Sequence, residues 1–233
     1  MTYSDLFIDF DDTLYDTKGN AVISLAEMFE HFQLNKYFDD PEFFYSEYWK
    51  TNVELWDRYA KGEISRDYLI VERFRRPLSK GKGLNPRKEF CLKVSDVFLE
   101  YCSNKSGLVA NAMDLIKYLK SKGYRMHICS NGFHEVQYKK LHACGLFEYF
   151  DTIILSEDAG YNKPDVRFFE YALKKSGAEK SKTLMIGDNL STDIKGAINA
   201  GIKTMYFNRK TTESVIPELN YVIHSLAEAK EVL

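Results

Sequence analysis

Nothing in this 233-residue sequence approaches 18 consecutive apolar residues, so no membrane-spanning helix is expected. Its cysteines are four and scattered (Cys91, Cys102, Cys129, Cys144), with neither a CxxC pair nor the Cys/His spacing of a zinc site. Disulfide scaffolding and structural zinc are therefore not expected. The cysteines read as small buried hydrophobes in a reducing compartment. Charge of one sign is also lacking: a net −2 gives no general attraction to nucleic acid or to an anionic membrane. Met1 to Asp5 carries no basic region leading into an apolar stretch, so no signal peptide is read there and a cytoplasmic location is expected. What remains is a chain able to bury roughly 70–75% of its unfolded surface without staples.

The second half repeats one rhythm of helix pattern, glycine, short apolar run and polar cluster. Gly123, Gly145, Gly177 and Gly201 each close a helical pattern. The runs Tyr124–Cys129, Thr152–Leu155, Thr183–Ile186 and Thr204–Phe207 follow them. Glycine suits the position just past a helix end, where φ is commonly positive. Leu6–Ile8 is an earlier run, Tyr221–Ile223 a last edge strand, and Leu226–Val232 a terminal helix. Strands alternating with single helices predict an α/β fold, a doubly wound parallel sheet covered on both faces. Residues 17–106 differ in texture, with helical periodicity and nine aromatics between Tyr37 and Tyr59. The expected organisation is a core of 1–16 and 107–233 with an inserted helical domain of 17–106.

Open parallel sheets bind ligands at the carboxyl ends of their strands. The residues after the runs are Asp9-Phe10-Asp11-Asp12-Thr13, Ser130-Asn131-Gly132 and Gly187-Asp188-Asn189, with Asp193 at the next helix start. The remaining run leads to Asn162-Lys163-Pro164. Carboxylates so close cannot all stay ionised without a cation. Mg²⁺ answers that need, because it takes hard oxygen ligands and neutralises a phosphoryl group under attack. Lys163 supplies a point charge for phosphate oxygens, and Ser130 and Asn131 supply a hydroxyl and backbone N–H groups. Asp9 and Asp11 project from one side of an extended segment. One can attack phosphorus while the other handles protons at the leaving oxygen.

Asp9-Phe10-Asp11-Asp12-Thr13-Leu14, Ser130-Asn131-Gly132, Lys163-Pro164 and Gly187-Asp188-Asn189-Leu190-Ser191-Thr192-Asp193 resemble, in order, the four motifs of the haloacid dehalogenase-like hydrolases. The resemblance implies a Rossmann-like phosphatase core, with 17–106 as the helical cap. It implies Asp9 as nucleophile, Asp11 as general acid/base, and Ser130 and Asn131 at the phosphoryl group. It further implies Lys163 beside the nucleophile. It implies as well that Asp9, Asp188 and the backbone carbonyl of Asp11 hold Mg²⁺ and that Asp193 orients those ligands. Asn52-Val53-Glu54-Leu55-Trp56, Gly62-Glu63-Ile64 and Arg73-Phe74 are similar to the pyrimidine 5′-nucleotidase branch. A nucleoside 5′-monophosphate is then the leading substrate and a nucleic-acid polymer a poor one. Relatives show a Pro-Gly turn where this chain has Ala110-Asn111.

Plainer readings stand beside these. Asp12 is assigned no role, Asp193 is also what a helix start favours, and His127 reads as a packed strand residue. The insertion's aromatics read first as bundle core. The basic stretch from Arg75 to Lys88 reads as solvated loop. A sugar-phosphate phosphatase or a phosphomutase would use the same carboxylates. A haloacid dehalogenase would not need Asp11 and Asp188, and a phospho-accepting signalling module would need no general acid.

Overall fold

The computed structural model describes residues 2–209 and 217–233. The chain divides into two compact units, Met1–Thr17 with Ser106–Leu233, and Lys18–Lys105. In chain order the elements are β1 (Asp5–Ile8), α1 (Thr17–His31), α2 (Pro41–Ala60), α3 (Arg66–Leu78), α4 (Lys88–Ser103) and α5 (Ala112–Ser121). They continue with β2 (Arg125–Ser130), α6 (His134–Ala143), β3 (Thr152–Leu155), α7 (Ser156–Ala159), α8 (Val166–Ser176) and β4 (Thr183–Gly187). The last are α9 (Lys195–Asn199), β5 (Lys203–Phe207), β6 (Tyr221–Ile223) and α10 (Ala229–Val232).

Among the described residues six parallel strands run in the order β3-β2-β1-β4-β5-β6, so β1 lies between β2 and β4. Every residue of β1 is buried, because its alternate side chains enter two different cores. Leu6 and Ile8 join Met126, Ile128, Leu184 and Ile186 on one face, under Leu115, Ile116 and Leu119 of α5 and Leu141 of α6. Phe7 joins Cys129, Ile154 and Met185 on the other, under Phe168 and Phe169 of α8 and Ala197 of α9. Both faces are therefore helix-covered, which is the doubly wound arrangement. All four cysteines are buried, and none forms a disulfide among the described residues.

The amino ends of the strands carry one polar cluster. Asp5 is fully buried and accepts from Arg125 (2.6 Å), His127 Nε2 (3.1 Å) and Ser4 Oγ (2.7 Å). Burial would raise its pKa, but these donors hold it below the usual carboxylate range. His127 is held below its ordinary value by burial, against the pull of Asp5, and its Nδ1 is buried without a hydrogen bond among the described residues.

Two details depart from the sequence reading. The helix expected over Leu226–Val232 is confined to Ala229–Val232, because Ser225 to Ala227 form a tight turn closed by Glu228 N–H on Ser225 O. The segment leading into α9 is a wide π turn, Leu190–Ile194, rather than regular α-helix. At the Ala110-Asn111 departure, Asn111 takes a left-handed backbone (φ 66°), a conformation asparagine tolerates better than most residues.

The unit Lys18–Lys105 is helical. Its core packs Leu25, Met28 and Phe29 of α1, Phe44 and Tyr48 of α2, Phe74 of α3 and Phe98 of α4. Asp40 and Ser65 cap α2 and α3 by accepting from Glu42 N–H and Tyr68 N–H. Most of the aromatics between Tyr37 and Tyr59 serve this packing, with Tyr48 lying 5.1 Å from Phe74 and 5.4 Å from Phe98. Among the described residues no helix is long and apolar enough to cross a membrane.

Candidate active site

Asp9 follows β1 directly, and its N–H still bonds Ile186 O of β4 (2.9 Å). The chain then leaves the sheet in a tight loop, with Leu14 and Tyr15 N–H both on Phe10 O and Asp12 at φ 61°. That loop turns Thr13 back onto Asp9. Thr13 Oγ1 donates to Asp9 Oδ2 (2.9 Å) and accepts from Asp188 N–H (3.1 Å), joining the ends of β1 and β4. Arg209 fastens the outside of the loop by donating to Asp12 O (3.0 Å).

Lys163 is buried and directs its three ammonium protons to three acceptors. They are Asp9 Oδ1 (2.7 Å), Asp193 Oδ1 (2.6 Å) and Cys129 O (2.6 Å). Burial would lower its pKa, yet Asp193 and Asp9 hold it above the ordinary lysine value. Asp193 is also buried, and its Oδ2 accepts from Asn189 N–H (3.1 Å). The Asn189 side chain caps the following turn by accepting from Ser191 N–H and Thr192 N–H. This approach depends on Gly187, because a Cβ there would lie 2.4 Å from Asp193 Oδ2.

Asp9, Asp188 and Asp193 bring carboxylate oxygens within 4.8 Å of one another. Burial, then the charge of Asp193, pushes the Asp9 pKa up to about 7 despite Lys163. Burial, then Asp9 and Asp193, pushes Asp188 up to about 9. Three carboxylates around one ammonium leave a surplus of negative charge. The donor set is hard oxygen throughout, so it fits a divalent cation such as Mg²⁺ and no soft metal.

At the end of β2, Ser130 Oγ accepts from Gly132 N–H (3.0 Å) and Gln137 Nε2 (3.1 Å). A hydroxyl has two lone pairs, so both are taken and its O–H remains to donate. The Asn131 amide turns to the Lys163 main chain rather than outward: Nδ2 donates to Lys163 O (3.0 Å) and Oδ1 accepts from Lys163 N–H (2.8 Å). Asp11 is drawn onto α6. Lys140 Nζ (2.7 Å) and Thr17 Oγ1 (2.8 Å) donate to its Oδ1, and Gln137 Nε2 donates to its Oδ2. Burial would raise the Asp11 pKa, but Lys140, with Thr17 and Gln137, holds it below the usual range.

Of the residues singled out from sequence, Asp9, Lys163, Asp188 and Asp193 form one connected cluster. Ser130 and Asp11 are linked to each other through Gln137. Thr13, Thr17, Gln137 and Lys140 were not singled out. For the last two a signal existed: Gln137-x-x-Lys140 puts two polar groups one turn apart on a helix whose neighbours Val136 and Leu141 are buried.

A helix-flanked parallel sheet gathering carboxylates, a buried lysine and a hydroxyl at its strand ends defines an enzyme of the Rossmann-like α/β class. The chain belongs to the haloacid dehalogenase-like hydrolases, whose family model matches residues 6–201. It is 29% identical to the pyrimidine 5′-nucleotidase YjjG of Escherichia coli, over 100% of this chain and 99% of that one. It is also 29% identical to a glyceraldehyde 3-phosphate phosphatase of Methanothermobacter thermautotrophicus, over 98% of each chain. A crystal structure of Bacillus subtilis YfnB bound to magnesium superposes with TM-score 0.86 at 29% identity, covering 100% of this chain and 99% of that one.

Proposed function

We propose that the chain is a Mg²⁺-dependent phosphomonoesterase that works through a phosphoaspartate on Asp9. The observation that carries this reading is Asp9 itself, held by Lys163 on one oxygen and Thr13 on the other, with Asp188 alongside. Asp9 attacks phosphorus as the bond to the ester oxygen breaks, and Asp11 in its protonated form gives the departing alkoxide its proton. Asp11 then takes a proton from water as that water's oxygen attacks the phosphoaspartate, which frees phosphate and restores Asp9. The Ser130 O–H and the backbone N–H groups after β2 bind the phosphoryl oxygens. Lys163 keeps Asp9 aimed and offsets charge on the transferred group, and Asp193 keeps Lys163 in place. Asn131 acts through its grip on the Lys163 backbone. Asp9, Asp188 and the Asp11 carbonyl would hold Mg²⁺, which when bound neutralises the phosphoryl charge and lets the carboxylates coexist as anions.

The substrate class proposed is a small phosphate ester, with nucleoside 5′-monophosphates first. The name of YjjG and the resemblance of Asn52–Trp56 and Arg73-Phe74 support it. The equal identity to a glyceraldehyde 3-phosphate phosphatase supports the second reading, a sugar- or triose-phosphate phosphatase. The test is phosphate release from an aryl phosphate, with Mg²⁺ and after rigorous chelation, followed by kcat/KM over nucleotides, sugar phosphates and triose phosphates. Full activity without metal would overturn the mechanism. Nucleotides at background beside a well-used sugar phosphate would overturn the nucleotidase reading alone.

A further inference from the structure

Gln137 and Lys140 lie on one face of α6, three residues apart, and both side chains are buried. Gln137 Nε2 reaches two acceptors on different motifs, Asp11 Oδ2 and Ser130 Oγ. Lys140 Nζ reaches Asp11 Oδ1 at 2.7 Å and lies 4.9 Å from the centre of the Tyr15 ring. The Gln137 amide can turn only one way, because the Asp11 carboxylate oxygen beside it accepts and cannot donate. That orientation leaves its Oε1 buried without a partner among the described residues. An orphaned buried carbonyl is destabilising, and an apolar side chain of the same shape would avoid it. Packing therefore does not account for glutamine at this position. Gly132 makes room for it, since a Cβ there would sit 1.6 Å from Gln137 Nε2.

We propose that Gln137 and Lys140 are positioning residues that lock the Asp11 carboxylate in register with the Ser130 hydroxyl. The group that moves the proton and the group that seats the phosphoryl oxygen are then carried by one helix as a unit. Lys140 and Thr17 fix one Asp11 oxygen. Gln137 fixes the other, and by filling a lone pair of Ser130 it also turns that hydroxyl outward to donate. The inference rests on the acid–base reading of Asp11 given above, and its test separates the two.

The test uses the full chain with Mg²⁺ and two esters. p-Nitrophenolate departs without a proton, whereas an alkoxide needs one at the moment of departure. kcat/KM reports the first step, up to loss of the leaving group, and kcat includes hydrolysis of the phosphoaspartate. Lys140→Met should keep kcat/KM for p-nitrophenyl phosphate within about threefold and lose about 10²-fold for an alkyl phosphate, whereas Gln137→Leu, which also releases the Ser130 hydroxyl, should lose on both esters and by about 10²-fold more on the alkyl one. Their kcat on p-nitrophenyl phosphate should fall, with phosphoenzyme accumulating after acid quench. Lys140→Arg, which keeps a cationic donor, should recover most of the alkyl-ester rate. A parallel loss on both esters, or no loss on either, would overturn the inference. Asp11→Asn is the reference. If it shows the split between esters and the α6 variants do not, the inference fails and the acid–base reading stands. If Asp11→Asn shows no split, both fail together.

Discussion

Asn131 and Lys163 hold one another through a pair of antiparallel hydrogen bonds, Lys163 N–H on Asn131 Oδ1 at 2.8 Å and Asn131 Nδ2 on Lys163 O at 3.0 Å. An asparagine after β2 thus fixes the backbone of a lysine that comes after β3. The lysine's ammonium then returns to the carbonyl of Cys129, two residues before that asparagine. The two loops form a closed circuit around the Asp9 carboxylate.

Breaking that circuit tests its weight. Asn131→Ala removes two hydrogen bonds to buried backbone and should lower stability by about 1–3 kcal/mol, read from urea unfolding. It should also lower kcat, because Lys163 loses its anchor while keeping its charge. A variant equal to wild type in both respects would show that the lysine is held by its ammonium contacts alone.

Asp9→Asn should reduce kcat by at least about 10³-fold, equivalent to about 4 kcal/mol of barrier. It should also abolish acid-stable labelling by a ³²P-phosphate ester. Because the asparagine Oδ1 can still accept from Lys163 while its Nδ2 can donate to Thr13 Oγ1, the fold should persist, as circular dichroism would check.

Asp188 gives a pH prediction. Its folded pKa of about 9 lies far above the unfolded value of 3.8, so the unfolded state ionises first. In metal-free buffer this group's contribution makes stability fall as pH rises from about 4 toward about 9. Asp188→Asn should remove that part of the slope and raise the metal-free Tm near neutral pH. Mg²⁺ should raise the Tm of wild type by binding the folded state alone, and should raise that of Asp188→Asn far less. Equal Mg²⁺ shifts in the two proteins would remove Asp188 from the metal site.

His127 predicts a slope at the other end of the sheet. Its folded pKa is below the unfolded value of about 6.5, so the unfolded state binds the extra proton and stability falls as pH drops below that point. The difference in Tm between wild type and His127→Gln, followed from pH 8 to pH 5, should therefore move in favour of the variant on acidification (~6.5 marking the onset). A difference that stays constant would mean that Asp5 keeps the imidazole titrating as it does in the unfolded chain.

The sheet and the principal carboxylates were legible because they depend on short-range features. A buried strand needs an apolar run, a parallel return needs a helix between strands, and strand ends present whatever follows them. Thus Asp9, Asp188 and Lys163 could be placed together before any coordinates. For the supports of Asp11 the Gln137-x-x-Lys140 spacing was visible, but Lys139 and Lys140 are neighbours of the same chemistry, and three-dimensional packing shows which of the two is buried. Asn131 could be recognised as important, but an amide's partner is a matter of loop geometry, and here the partner lies on a different loop. The π turn before α9 left no pattern either. It differs from an α turn by one residue of hydrogen-bond offset, which the side chains of Leu190 to Ile194 do not encode.

The place of β1 in the sheet bears on how the protein is made. Asp5 is paired at once with Arg125 and with Thr183, so β1 has both its neighbours only after the chain has been synthesised as far as β4. The unit Lys18–Lys105 is continuous in sequence and emerges entirely within that interval. During translation β1 therefore waits as an apolar segment with both edges open, a state prone to mispairing. Nascent chains stalled just before β4 should remain protease-sensitive at residues 5–8 and become protected once β4 has cleared the exit tunnel.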